Sequence, residues 1–304
     1  MSQLDQMILT FALRSGLKHP KYVKLISRGI SSDTYQITDR QQRYIIIRFL
    51  DKEDKIEPIL LTRLIKHYHE MGFPIPRLIN TGTIDGCEAL ICEYAKGKVK
   101  PDWKVEDYEK LGFLIGNLHL SQKAFSILQP GQSVIEHMQK KVCNLDDALP
   151  QEFCAIHSEL DILEKKWPTN LPKGTIHGDL WYKNVFFEGN RISAILEYHK
   201  PLTDCLVYDL ATVMKGIYFS QDTQDQDLKF NAFLKHYEFA RPLSEEELYA
   251  LPTMLHAKIL YTILFMLEQA SLKKSYRETF LSTAMFNLLK LQQSREISFE
   301  KISL

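Results

Sequence analysis

The fold of this chain is decided by residues 175–187, which read TIHGDLWYKNVFF. Asp179 follows the pair His177-Gly178, and Asn184 stands five residues after Asp179. The polar loop is followed by β-rich runs at 185–187 and 192–196, and the turn between them at 188–190 contains a glycine, which is typical of a hairpin. The stretch therefore predicts a rigid polar loop directly in front of a β-hairpin.

The polar residues of this loop have the spacing of a phosphoryl-transfer site. Protein kinases use the pattern H-R-D-x-x-x-x-N, in which the Asp receives the substrate hydroxyl and the Asn holds Mg²⁺. Such chemistry is mostly positioning and charge neutralisation, so a carboxylate must aim the nucleophile while oxygen ligands hold the metal. The pattern also requires an acidic metal ligand after the second hairpin strand, where Glu197 stands. We predict that Asp179 and His177 are catalytic, and that Asn184 and Glu197 bind Mg²⁺.

The glycine that replaces arginine after His177 makes the loop similar to that of the aminoglycoside phosphotransferase and choline kinase superfamily. Residues 177–211, HGDLWYKNVFFEGNRISAILEYHKPLTDCLVYDLA, resemble the bacterial homoserine kinases of that superfamily, and segments 28–35, 72–76, 111–119 and 240–243 are similar more loosely. The resemblance implies an α+β, bilobal protein-kinase-like fold, with an antiparallel-sheet N-lobe at 1–94, a mostly helical C-lobe at 95–304, and ATP in the cleft. It also implies ATP-dependent phosphorylation of the hydroxyl of a small molecule, with homoserine as the expected acceptor.

Hydrophobic periodicity along the chain supports this organisation. Apolar residues at helical spacing predict a leading helix that ends near Gly16. Short β-rich runs predict strands at 22–26, 34–37, 44–47, 77–83 and 89–94, with one helix inserted at 56–71. After Gly97 the patterns predict helices at 105–120, 133–141 and 151–166, and further helices from residue 207, including one opened by a capping box of Ser244 and Glu247.

The resemblance also assigns the residues that would bind the nucleotide. Gly29, Ser31 and Ser32 lie in the segment similar to the short nucleotide loop, although an ordinary hairpin turn has the same composition. Arg48 is the cation nearest to the place where the family has a phosphate-binding lysine. Glu93 and Ala95 lie in the expected interlobe segment, whose backbone would bind adenine; the alternative is a plain strand end.

Residues after the metal-site acid are candidates for contacts with the acceptor. Tyr198, His199 and Asp204 are predicted to bind an amino or carboxylate group of the substrate, although polar loop residues are commonly only solvated. Asp209 is either a helix N-terminal acid that the helix dipole stabilises or a residue that braces the catalytic loop.

Two departures from the family pattern leave alternatives open. Glu197 replaces the usual metal-binding Asp, and the strand that usually carries a lysine reads YIIIR at 44–48. These departures favour a pseudokinase that binds nucleotide or a partner protein, whereas the intact loop favours catalysis. Within the enzyme class, the acceptor could instead be an aminoglycoside, choline or a sugar.

Composition excludes other classes of partner. Lys plus Arg and Asp plus Glu both total 38 of the 304 residues, so no net field is available to hold nucleic acid or an anionic membrane. The five cysteines include no C-x-x-C pair, and the N-terminus lacks a signal-peptide pattern, which predicts a cytoplasmic protein. The apolar stretch at 251–267 is short for a membrane span and contains Pro252, His256 and Lys258, so it predicts a buried helix.

Overall fold

The computed structural model of the chain describes residues 2–29, 32–50, 58–121, 133–145, 150–198, 202–220 and 224–294. The chain divides into two compact units, one formed by residues 1–100 and 183–200 and the other by residues 101–182 and 201–304. Residues 177–184, which carry the predicted catalytic residues, are called the catalytic loop below. The hairpin that follows this loop belongs to the first unit, whereas the prediction of a single boundary near residue 95 places it in the second.

The first unit is built on a five-stranded antiparallel sheet. Its strands are Pro20–Arg28 (β1), Ser32–Asp39 (β2), Gln42–Phe49 (β3), Leu78–Ile84 (β4) and Cys87–Glu93 (β5), in the order β1-β2-β3-β5-β4. The register places Arg48 of β3 opposite Asp33 on β2 and Ala89 on β5. The predicted meander and the two later strands are confirmed.

The leading helix, Gln3–Arg14 (α1), is confirmed and packs on this sheet. A capping box opens it, because the Ser2 hydroxyl accepts from the Asp5 N–H and the Asp5 carboxylate accepts from the Ser2 N–H. The helix ends next to Gly16, whose φ of +94° is a left-handed conformation that glycine adopts without strain. Ile8 and Phe11 on its buried face share one core with Ile37, Ile46 and Ile91 of the sheet.

The remaining elements of the first unit are one helix and a smaller sheet. They are the helix Pro58–Glu70 (α2) and the strands Lys98–Val99 (β6), Val185–Glu188 (β8) and Arg191–Ile195 (β9). Strands β8 and β9 form the predicted hairpin, and the three strands pair in the order β6-β8-β9. The Ile195 N–H donates to the Pro74 carbonyl at 2.7 Å, which ties the hairpin to the turn after α2. The chain stretch that carries Asn184 and Glu197 is therefore anchored within this unit.

The second unit is mostly helical. Its helices are Val105–Ser121 (α3), Val134–Cys143 (α4), Ile156–Lys166 (α5), Val207–Tyr218 (α6), Gln226–Ala240 (α7), Glu245–Leu272 (α8) and Arg277–Ser294 (α9). A two-stranded antiparallel ribbon, Lys173–Ile176 (β7) with Leu202–Cys205 (β10), leads into the catalytic loop. Helix α3 packs on α7, and α8 packs on α6 and α9.

Two glycines set the spacing of α3 and α7. A Cβ at Gly112 would collide with the Phe233 carbonyl oxygen, and one at Gly116 would lie 2.6 Å from the Tyr237 carbonyl oxygen. The two helix backbones can approach this closely only because neither position has a side chain. This close packing holds His119 of α3 beside Tyr237 of α7.

Helix α8 contains the apolar stretch that the sequence predicts to be a buried helix, and this prediction is confirmed. The predicted capping box of Ser244 and Glu247 opens it, and Pro252 lies in its first turns. Among the described residues, α8 is the helix that is long and apolar enough to cross a membrane, but most of that stretch is buried against neighbouring helices.

Candidate active site

The catalytic loop begins directly after β7. Gly178 has a φ of +74°, and a Cβ there would lie 3.1 Å from Leu202 Cδ1. The left-handed backbone and the close neighbour both favour glycine at this position. The structure thus explains why the residue after His177 is glycine.

Asp209, in the first turn of α6, braces this loop. Its Oδ2 accepts from the His177 N–H at 2.8 Å and its Oδ1 accepts from the Gly178 N–H at 2.7 Å, and the side chain is fully buried. Burial acts to raise the pKa of Asp209, but the hydrogen bond and charge of His119 outweigh it and lower the pKa. The bracing alternative from the sequence is confirmed.

A buried hydrogen-bonded chain extends from Asp209 to the start of α8. His119 Nε2 lies 3.2 Å from Asp209 Oδ2, and its Nδ1 lies 2.8 Å from the Tyr237 hydroxyl. Arg241 donates to that hydroxyl at 3.0 Å and to Glu247 Oε1 at 2.8 Å. The segments 111–119 and 240–243, which resemble the homoserine kinases more loosely, therefore support the catalytic loop indirectly, through hydrogen bonds that lead to Asp209.

Replacing Asp209 with Asn is expected to lower the free energy of unfolding by about 2–4 kcal/mol. Both carboxylate oxygens accept from backbone N–H groups, so an amide must set its NH₂ against one of them. Urea denaturation and kcat of Asp209→Asn should be compared with Asp227→Asn, which removes an exposed acid from the first turn of α7. Equal losses in the two variants would show that Asp209 is only a dipole-favoured acid.

His177 supports the loop from inside. Its side chain is buried, and its Nδ1 accepts from the Asp179 N–H at 3.1 Å. Because Nδ1 is an acceptor, a neutral ring carries its proton on Nε2. We therefore interpret His177 as a positioning residue for Asp179 and not as a group that touches the substrate.

Asp179 is presented at the surface of the second unit and paired with a lysine that the sequence reasoning missed. Lys258 of α8 donates to Asp179 Oδ1 at 3.0 Å and to the Gly178 carbonyl at 2.7 Å. The Asp179 side chain is 56% exposed, whereas the Lys258 side chain is 8% exposed. Desolvation acts to raise the pKa of Asp179, but Lys258 outweighs it, so the pKa is lowered and the carboxylate stays ionised. The available signal was a single lysine inside the apolar run at 251–267.

The two predicted metal ligands lie together in the first unit. The Leu196 N–H donates to the Asn184 carbonyl at 2.8 Å, so Glu197 directly follows a residue bonded to Asn184. Glu197 is exposed and has a φ of +66°, a left-handed conformation that Asp and Asn adopt more readily than Glu. The described residues contain no cluster of three or more His, Cys, Asp or Glu side chains for a metal. One amide and one carboxylate suit Mg²⁺, which usually keeps water and substrate phosphates as its other ligands.

Two of the predicted nucleotide-loop residues lie at the facing ends of neighbouring strands, Gly29 directly after β1 and Ser32 at the start of β2. The Gly29 N–H donates to the Ser32 carbonyl at 2.7 Å, and a Cβ on Gly29 would lie 2.7 Å from that same oxygen. The close approach of the Ser32 carbonyl thus requires glycine at position 29. Ser31 lies outside the described residues.

Arg48, the predicted phosphate cation, already has acidic partners. Its guanidinium lies 3.6 Å from Asp33 on β2 and 3.6 Å from Asp85 in the turn between β4 and β5. A phosphate would therefore have to compete with two carboxylates for this side chain.

The predicted adenine segment begins where β5 ends. The Glu93 N–H donates to the Arg77 carbonyl at 2.9 Å, and its carboxylate accepts from Arg77 at 2.6 Å and 3.0 Å. The Glu93 side chain is thus held by an ion pair, and only its carbonyl and the irregular segment containing Ala95 are candidates for base contacts.

Two of the predicted acceptor contacts have structural roles instead. Asp204 is buried and accepts from the backbone N–H groups of Val134 at 2.8 Å and Cys205 at 2.7 Å. Tyr198 is also buried, with its ring 5.3 Å from Tyr68 and 6.2 Å from Phe73. We therefore leave both out of the proposed acceptor site, and His199 lies outside the described residues.

Bacterial homoserine kinases are similar to this chain in sequence. Homoserine kinase of Rhizobium etli (strain CIAT 652) is 26% identical over 241 residues, covering 76% of this chain and 75% of the relative. Homoserine kinase of Bartonella tribocorum (strain CIP 105476 / IBS 506) is 29% identical over 233 residues, covering 73% of each protein.

Solved structures share the fold at lower identity. Amicoumacin kinase hAmiN, solved in complex with AMP-PNP, Ca²⁺ and Ami, aligns with a TM-score of 0.78 and 17% identity over 98% of this chain and 97% of that chain. Choline kinase LicA from Streptococcus pneumoniae aligns with a TM-score of 0.69 and 16% identity over 95% of this chain and all of that chain. The predicted kinase-like α+β fold is confirmed. Residues 23–243 match the family model of the APH phosphotransferase enzyme family, and the chain therefore belongs to that family of small-molecule phosphotransferases.

Proposed function

We propose that this phosphotransferase moves the γ-phosphoryl group of ATP to the side-chain hydroxyl of L-homoserine. The relatives reported above, which match about three quarters of the chain, are homoserine kinases. The observation that carries the proposal is the presentation of Asp179: its backbone is fixed by Asp209 through the two preceding residues, while its carboxylate stays exposed and ionised. An ionised, oriented carboxylate is what is needed to aim a hydroxyl at a phosphorus atom.

The proposed mechanism is an in-line attack by the homoserine hydroxyl. Asp179 accepts a hydrogen bond from that hydroxyl, orients its lone pair and receives its proton as the new P–O bond forms. The bond between the γ-phosphorus and the β–γ bridging oxygen breaks at the same time, and ADP leaves. Lys258 donates to Asp179 Oδ1 and thereby orients the carboxylate. Asn184 and Glu197 would hold Mg²⁺, which when bound neutralises charge on the transferring phosphate.

The nucleotide would be held by backbone groups more than by side chains. We propose that the backbone of Gly29 and Ser32 contacts the phosphates, and that the Glu93 carbonyl and the Ala95 backbone bind adenine. Arg48 would contribute positive charge to the phosphates only in part, because Asp33 and Asp85 share its guanidinium.

The proposal is tested by an acceptor screen. Purified protein with ATP and Mg²⁺ should phosphorylate L-homoserine with a kcat/KM at least about tenfold above the values for choline, kanamycin or a sugar, since a tenfold ratio requires about 1.4 kcal/mol of differential transition-state binding. ATP consumption should be followed together with the product mass, and Asp179→Asn protein from the same preparation controls for contaminating kinases. A phosphorylated product from another alcohol, with none from homoserine, would overturn the proposed acceptor and leave the reaction class intact.

A further inference from the structure

Three lysines from three helices lie near one another within the second unit, and one of them contacts Asp179. Lys258 of α8 donates to Asp179, as described above. Lys215 of α6 donates to Thr262 Oγ1 at 2.9 Å, and that hydroxyl in turn donates to the Lys258 carbonyl at 2.9 Å. Lys290 of α9 lies 5.7 Å from the ring of Phe219, the residue at the end of α6, and 4.1 Å from the ring of Phe286. We call Lys215, Lys258 and Lys290 the lysine cluster.

The lysine cluster has more positive charge than its surroundings compensate. Among the described residues, Asp179 is the acid that acts on it, and Lys215 and Lys290 form no ion pair there. Burial, together with the charges of Lys258 and Lys290, lowers the pKa of Lys215 to about 7. Burial also lowers the pKa of Lys290.

A purely structural role explains this arrangement poorly. Elsewhere in the same unit the buried Lys141 is paired with Glu268 at 2.8 Å, which is how proteins usually keep a buried ammonium. Lys215 instead has a hydroxyl partner and Lys290 has aromatic rings, and each keeps N–H donors available. Several like charges held close together with a single acid among them are characteristic of sites that bind an anion.

We propose that Lys215 and Lys290, with the charge of Lys258, bind the carboxylate of the acceptor substrate. This inference rests on the proposed function and adds to it the residues that select a hydroxy acid. A small hydroxy amino acid carries its hydroxyl at one end and its carboxylate at the other, so a carboxylate on the lysine cluster would direct the hydroxyl toward Asp179. The same charges repel a cationic acceptor such as choline, which gives discrimination by repulsion as well as by attraction.

The other anion that the lysine cluster could bind is the phosphate of ATP. Steady-state kinetics distinguish binding of this phosphate from binding of the acceptor carboxylate. Lys215→Met and Lys290→Met should each raise the KM for L-homoserine at least about tenfold, with the KM for ATP within about twofold of wild type. Lys215→Arg and Lys290→Arg should retain most of the affinity because they keep the charge. Lys235→Met, an exposed lysine on α7, is the matched control.

A second acceptor isolates the carboxylate itself. The amino alcohol in which the carboxylate of homoserine is reduced to a hydroxymethyl group should be a poor substrate, and its KM should be equal in wild type and both methionine variants. A raised KM for ATP with an unchanged KM for homoserine would assign the lysine cluster to the donor phosphate and overturn the inference. Unchanged values for both substrates would make the lysine cluster structural. Absence of homoserine turnover in wild type would instead overturn the proposed function itself.

Discussion

Asp179→Asn is expected to lower kcat by about a thousandfold or more while ATP affinity stays nearly unchanged. The amide has the shape of the carboxylate and can still accept from Lys258, so the loop should keep its conformation. It cannot receive the proton of the attacking hydroxyl, and it aims that hydroxyl less firmly because the charge is gone.

The measurement is steady-state turnover with homoserine, together with calorimetric titration of ATP. The matched control is Asp161→Asn, which replaces an exposed acid on α5 in the same unit. A melting temperature close to that of wild type would show that the loss of turnover is chemical. Equal turnover in wild type and Asp179→Asn would contradict the assignment of Asp179 as the residue that aims the hydroxyl.

Glu197→Ala is expected to abolish Mg²⁺-dependent turnover. In the proposed site its carboxylate is the one negatively charged ligand that accompanies the Asn184 amide, and its loss would leave phosphate charge uncompensated. Glu188→Ala, an exposed glutamate in the same hairpin, is the control and should keep its activity. An unchanged rate and unchanged Mg²⁺ dependence in Glu197→Ala would show that Glu197 is not a metal ligand.

Glu197→Asp is the sharper variant because it keeps the charge and restores the residue usual in the family. Asp tolerates the left-handed backbone of this position at least as well as Glu, so the substitution should not destabilise the hairpin. If the site is adapted to the longer side chain, turnover and Mg²⁺·ATP affinity should stay equal or fall, and we expect this result. A rise in either value would indicate a site that has lost part of its activity, as the pseudokinase alternative holds.

The secondary structure and the family of this chain could be predicted from local sequence. Hydrophobic periodicity identified the strands of the meander, helix α2 and the buried helix α8, because each depends on residues a few positions apart. The spacing of Asp179 and Asn184 indicated the chemistry for the same reason, since both lie on one short segment. The role of Asp209 could be narrowed to two alternatives, and its contacts with the loop backbone decided between them.

Only the tertiary structure could decide which side chains surround the catalytic loop. Lys258 is 79 residues away from Asp179 in sequence, and Lys215 and Lys290 lie on helices other than the one that carries Lys258. Periodicity does not report such contacts, because they depend on how helices pack. Likewise, the sequence around Asp204 is typical of a solvated loop. In the structure, however, the pairing of β10 with β7 and the start of α4 bury Asp204 against backbone N–H groups. The sequence by itself determined the fold, the family and the position of the proposed catalytic carboxylate, whereas helix packing decided which charges surround that carboxylate.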